Sequence, residues 1–83
     1  MEDEIRRVLA TYARLPVDAM AIAPDADLFR AGMTSHASVN VMLGLEEAFD
    51  IEFPEAMLRK ATFESIAAIR DAIEELTSVG VSR

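Results

Sequence analysis

Ser35 and His36 stand side by side where the loop Asp27-Leu28-Phe29-Arg30-Ala31-Gly32-Met33-Thr34 meets an apolar-periodic run that reaches Phe49. A hydroxyl beside an imidazole suggests a nucleophile and its base. Neighbouring residues on a helix point in different directions, however, and no third group stands out to orient the ring. The chain has one His and no Cys, so it lacks the protein ligands of an ordinary catalytic zinc site, and thiol chemistry would need a sulfur from elsewhere. Glu46 and Glu47 are adjacent and do not face one cleft, and Gly32 and Gly44 do not form a phosphate-cradling loop. Asp25 and Asp27, within Pro24-Asp25-Ala26-Asp27, read as turn formers and as the cap of a short helical turn at Leu28-Phe29 rather than as metal ligands. Met20, Met33, Met42 and Met57 read as adaptable core fillers.

What remains is a serine at the mouth of a helix, with two readings. Its hydroxyl is the N-cap that accepts a hydrogen bond from a first-turn N–H. Alternatively it carries something: free N–H groups and the positive end of the dipole favour a negative charge there, so a phosphate ester on Ser35 is stabilised where it sits.

The elements that would position this serine follow from hydrophobic spacing. Glu2, Asp3 and Glu4 suit a first turn, and Ile5, Val8, Leu9 and Tyr12 give one face of a helix to about Leu15, stopped by Pro16. Arg6, Arg7 and Arg14 are assigned to its solvated side. Val17 to Met33 is a long first loop, with Met20, Ile22, Leu28 and Phe29 expected to anchor it on the core. In the second helix, Ser35 to Phe49, Val39, Met42, Leu43 and Phe49 are expected inward. Val41 and Leu45 widen its apolar surface, and Ala37, Asn40, Val41 and Gly44 form a candidate docking strip beside the serine. Glu46, Glu47 and Asp50 read as a solvated acidic end. Asp50-Ile51-Glu52-Phe53-Pro54 is expected to be an extended loop dipping Ile51 and Phe53 into the core. Glu55 to Lys60 is expected to be a short irregular helix with Met57 or Leu58 inward. Thr62 is expected to cap a last helix carrying Ile66, Ile69, Ile73 and Leu76, with Phe63 packed at its start. The sum is an all-α domain of three main helices and one short one, spanning residues 1–77, with a fraying tail at 78–83.

Composition narrows the partners. The chain has 83 residues, 52% of them hydrophobic, enough for one small core. Fifteen acidic residues against eight basic leave a net charge of −7, which disfavours phosphate-backbone binding and suits a basic protein partner. No apolar run reaches a membrane span and no signal peptide opens the chain, so a soluble, cytoplasmic protein is expected, and with no oligomerisation signalled in the sequence it is expected to be a monomer.

The segment Asp27-Leu28-Phe29 through Gly32-Met33-Thr34-Ser35-His36, followed by Glu46-Glu47-Ala48-Phe49-Asp50-Ile51-Glu52-Phe53-Pro54, resembles the acyl carrier proteins and other phosphopantetheine-bearing carriers. The resemblance implies a four-helix carrier bundle with Ser35 as the attachment point of 4'-phosphopantetheine, moved there from coenzyme A by a phosphopantetheinyl transferase. The arm would supply the missing thiol, cargo would ride as a thioester, and the domain would catalyse nothing. Two positions depart from the family pattern: Thr34 stands for the usual Asp and His36 for the usual Leu. Ala37 and Asn40 occupy places often acidic in fatty-acid carriers, which weakens steering toward their enzymes. The run from Ala37 to Pro54 is similar to the small aminoacyl carrier proteins of proteobacteria. That implies a small amino acid such as glycine or alanine, loaded with ATP by an amino acid:carrier protein ligase related to the seryl-tRNA synthetase core, and a downstream acceptor enzyme. It makes His36, Ala37, Asn40, Val41 and Gly44 the candidate ligase contacts. The competing readings are a fatty-acid or polyketide acyl carrier and, from another class, an interaction bundle with Ser35 as a plain cap.

Overall fold

Three acidic side chains, Glu2, Asp3 and Glu4, open the helix α1 (Glu2–Tyr12) and meet the positive end of its dipole. The computed structural model describes residues 1–81. It continues with a one-turn helix α2 (Leu28–Ala31), the long α3 (Ser35–Phe49) and α4 (Ile66–Val81), and α1 packs against both α3 and α4. There is no strand among the described residues, and the all-α bundle expected from the periodicity is the fold found. The tail expected at 78–83 lies outside the described residues apart from the backbone of α4.

Ile5, Leu9, Leu28, Val41, Leu45, Ile66, Ile69 and Ile73 are fully enclosed at the centre. The stripe on α1 holds through Leu9 and then shifts by one residue. Tyr12, expected inward, is 40% exposed and Ala13 takes the buried place. α1 stops short of Leu15 because Arg14 turns to φ 54, a left-handed conformation that ends the helix two residues before Pro16.

The largest correction concerns α3. Val39 and Leu43, expected inward, are 51% and 52% exposed, while Val41 and Leu45 are wholly enclosed. Apolar residues surround most of this helix, so its sequence period allows more than one inward face. The contact with α1 chooses between them: a Cβ on Gly44 would stand 2.6 Å from the Tyr12 ring and 3.0 Å from Val8, and this absence of a side chain lets the two helices close on that side.

The segment expected as one short helix divides into two 3-10 turns, Glu55–Met57 and Lys60–Phe63, because Leu58 and Arg59 leave helical dihedrals between them. Met57 packs on the core and Leu58 is exposed. Phe53 and Phe63 are buried edge to face, with ring centroids 5.3 Å apart, so the extended loop does dip Phe53 into the core. Glu46 is not merely solvated: its Oε2 accepts the Phe53 N–H at 2.9 Å and fixes that loop to α3. α4 is capped by Ser65 rather than Thr62, since Ser65 Oγ accepts from the Ala68 N–H at 3.0 Å. A Ser directly before the first periodic isoleucine is the signal for this cap.

Arg6, read as solvated, is buried and ties the first loop to α1. Its guanidinium donates to the carbonyls of Ala19 (2.9 Å) and Ile22 (2.7 Å) and to Glu2 Oε1 (3.1 Å). Ala19, not Met20, is the buried loop anchor. The loop then donates Leu28 N–H to the Glu64 carbonyl and accepts Ala67 N–H on the Pro24 carbonyl, which seats α2 on the start of α4. Removing the guanidinium leaves two loop carbonyls without a donor. Arg6→Met is therefore expected to lower stability by about 1.5–3 kcal/mol in a denaturant titration and to speed amide exchange across residues 17–27.

Candidate functional site

The site is assembled by a chain of short-range contacts running from α2 into α3. Asp27 caps α2, accepting on one oxygen the N–H groups of Phe29 (2.9 Å) and Arg30 (3.2 Å). Gly32 follows at φ 127, a conformation that strains other residues, and a Cβ there would lie 2.8 Å from Pro16 Cδ. This glycine lets the chain turn against Pro16 while Met33 is drawn back by its N–H to the Leu28 carbonyl.

The turn delivers Thr34 in extended conformation as the N-cap of α3. Thr34 Oγ1 accepts the Ala37 N–H at 3.0 Å and the Thr34 carbonyl accepts that of Ser38. Ser35 is therefore the first helical residue and not the cap. Its side chain is exposed, and among the described residues its hydroxyl has no hydrogen-bond partner. The N–H groups of Ser35 and His36 likewise have no partner among those residues. Ser38 Oγ is occupied, donating to the Ser35 carbonyl at 2.6 Å.

Beside Ser35 an open groove of about 380 Å³ runs between α2, the first half of α3 and the two 3-10 turns. Phe29, Val39, Met42, Leu58 and Phe63 supply its apolar walls, and Arg59 and Lys60 its charge. Lys60 Nζ stands 5.0 Å from the centroid of the Phe29 ring. A free hydroxyl, two free backbone donors and nearby cations fit a phosphate ester on Ser35.

Residues 3–73 match the family model for the phosphopantetheine attachment site. Over 74 residues the chain is 50% identical to an aminoacyl carrier protein of Agrobacterium fabrum, covering 89% of each chain. The chain belongs to the aminoacyl carrier proteins. It is a carrier and not an enzyme. Its fold is similar, at a TM-score of 0.87 and 50% identity over 89% of this chain and 99% of the other, to a chain in an engineered Bradyrhizobium japonicum glycine:[carrier protein] ligase complexed with carrier protein from Agrobacterium tumefaciens and AMP. A second Bradyrhizobium japonicum complex, of that ligase with glycylated carrier protein, matches at a TM-score of 0.73 and 28% identity over 86% of this chain and 95% of the other.

The other contact candidates of this aminoacyl carrier separate into two groups. His36 and Asn40 are exposed beside Ser35. Ala37 and Val41 are 5% and 0% exposed and Gly44 is buried, all turned into the bundle, so the docking strip drawn through them is corrected. The large apolar residues that α3 does present are Val39 and Leu43. Sequence reasoning missed Leu58, Arg59 and Lys60 as neighbours of Ser35, because a bend between two 3-10 turns carries no periodic signal. No helix among the described residues is long and apolar enough to cross a membrane.

Three substitutions check this arrangement. Thr34→Ala is expected to cost about 1 kcal/mol in a denaturant titration, while Ser35→Ala changes stability by less than about 0.5 kcal/mol. Gly32→Ala, strained and in collision with Pro16, is expected to cost about 1–3 kcal/mol.

Proposed function

We propose that Ser35 carries 4'-phosphopantetheine and that the chain holds glycine as a thioester on that arm. The observation that carries this reading is the free Ser35 hydroxyl at the start of α3, with capping left to Thr34. Ser35 Oγ would attack the phosphorus that bears pantetheine in coenzyme A. A new ester P–O bond forms, the pyrophosphate P–O bond breaks, adenosine bisphosphate leaves and the hydroxyl proton passes to a base of the phosphopantetheinyl transferase. The first-turn N–H groups of Ser35 and His36 then face a phosphodiester and favour its charge. The attached group supplies a thiol, which the Cys-free chain lacks.

Loading falls to an ATP-dependent amino acid:carrier protein ligase of the seryl-tRNA synthetase-like kind, in keeping with the glycine:[carrier protein] ligases named in the solved relatives. The face offered to it is His36, Val39, Asn40 and Leu43, where α3 is exposed and carries no carboxylate, lysine or arginine. Residues 1–77 form the carrier unit, which works as a cytoplasmic monomer that passes its cargo to an acceptor enzyme.

Intact mass tests the reading directly. With coenzyme A and a transferase, the chain is expected to gain one phosphopantetheine unit, and Ser35→Ala to gain none. A gain that survives in Ser35→Ala moves the site elsewhere. With ATP, glycine and ligase, the holo form is expected to gain one glycyl unit that hydroxylamine releases. Acceptance of malonyl or fatty groups instead of glycine would make the chain an acyl carrier.

A further inference from the structure

The groove beside Ser35 is positive in a chain that is otherwise acidic. Of the basic side chains, Arg6, Arg7 and Arg70 sit within ion-pair distance of carboxylates. Arg14, Arg30, Arg59 and Lys60 have no ion-pair partner among the described residues, and of these four the last two are adjacent in the chain. Both line the groove that Ser35 opens into, and no acidic side chain lines it with them. Lys60 is directed over the Phe29 ring, which keeps its ammonium at the wall. Val39 on α3 and Leu58 between the two 3-10 turns both line the groove and leave 51% and 46% of their surface uncovered.

We propose that Arg59 and Lys60 form a clasp for the anionic root of the arm, drawing its phosphodiester and first uncharged bonds into this groove while leaving a cationic cargo outside. The proposal rests on the reading that Ser35 bears the arm. Tethering is what makes so open a groove sufficient: a group fixed to a residue of the groove's own lining is present at an effective concentration on the order of millimolar or more, so weak contacts hold it. The phosphodiester supplies the charge that the two cations lack, next to apolar walls where the attraction exceeds its value in bulk water. Val39, Met42 and Leu58 suit the uncharged chain beyond it. A glycyl thioester ends in an ammonium, and that group meets two like charges and no carboxylate. The root is therefore restrained and the loaded end stays available to enzymes.

Methyl NMR on the apo, holo and glycyl-holo forms tests this, with intact mass recorded on each sample. Leu58 belongs to a different element from Ser35, so attachment alone leaves it untouched. Conversion to holo is expected to shift the Leu58, Val39 and Met42 methyls. The Leu58 shift should fall at least twofold in Arg59→Gln/Lys60→Gln, and also in the unsubstituted protein as salt rises from roughly 0.1 M to 1 M, where the screening length contracts from about 10 Å to about 3 Å. Glycylation is expected to add no further shift in the groove. A mass gain without a Leu58 shift overturns the clasp, leaving the cations to an acidic partner protein and the arm on Ser35 intact. A Leu58 shift that survives both the double substitution and high salt removes the two cations from the explanation. Further groove shifts on glycylation overturn the exclusion of cargo. Absence of any mass gain removes the arm from Ser35 and the clasp with it.

Discussion

A helix start needs a side-chain oxygen to accept one of its unpaired N–H groups, and in this chain Thr34 supplies it at 3.0 Å from the Ala37 nitrogen. Everything about the site follows from that hydrogen bond falling one residue before the serine. Had Ser35 been the cap, its hydroxyl would be turned into the first turn and engaged. Because the cap precedes it, Ser35 is helical, exposed and free, held on a rigid element while its oxygen faces outward. Thr for the Asp usual in carriers is therefore a substitution within one capping class, and the departure leaves the architecture of the site unchanged.

The position of Thr34 is itself set by longer-range contacts. Gly32 turns against Pro16, so the end of the first loop is packed beside its beginning. Arg6 binds the middle of that loop to α1, and Pro24 and Leu28 bind its end to the start of α4. A loop of this length in so small a domain would otherwise leave the serine on a mobile connection. The buried guanidinium satisfies carbonyls that the loop's own backbone does not pair.

Gly44 has a corresponding role on the other side of α3. It lets α1 approach, which turns Ala37, Val41 and Leu45 inward and leaves Val39 and Leu43 on the surface beside Ser35. The exposed face of α3 is thus a consequence of helix packing, and it carries little charge. The same rotation sets Val39 and Met42 along the groove with Leu58 and the two cations.

The sequence by itself determined the helical class, the extent of α3 from Ser35 to Phe49 and the core isoleucines of α4, together with the family that the residues Asp27 to Pro54 signal. These are local matters: periodicity, caps, turn residues and a run of residue types are all written within a few turns of chain. Which face of α3 points inward, whether Arg6 is wet or buried, and which side chains surround Ser35 were decided only by tertiary structure. An apolar-rich helix has several equivalent inward faces until a neighbour packs on one. An arginine on a helix edge is solvated until loop carbonyls close over it. Residues 58–60 and Ser35 share no periodicity, so only the folding of the chain back on itself makes them neighbours.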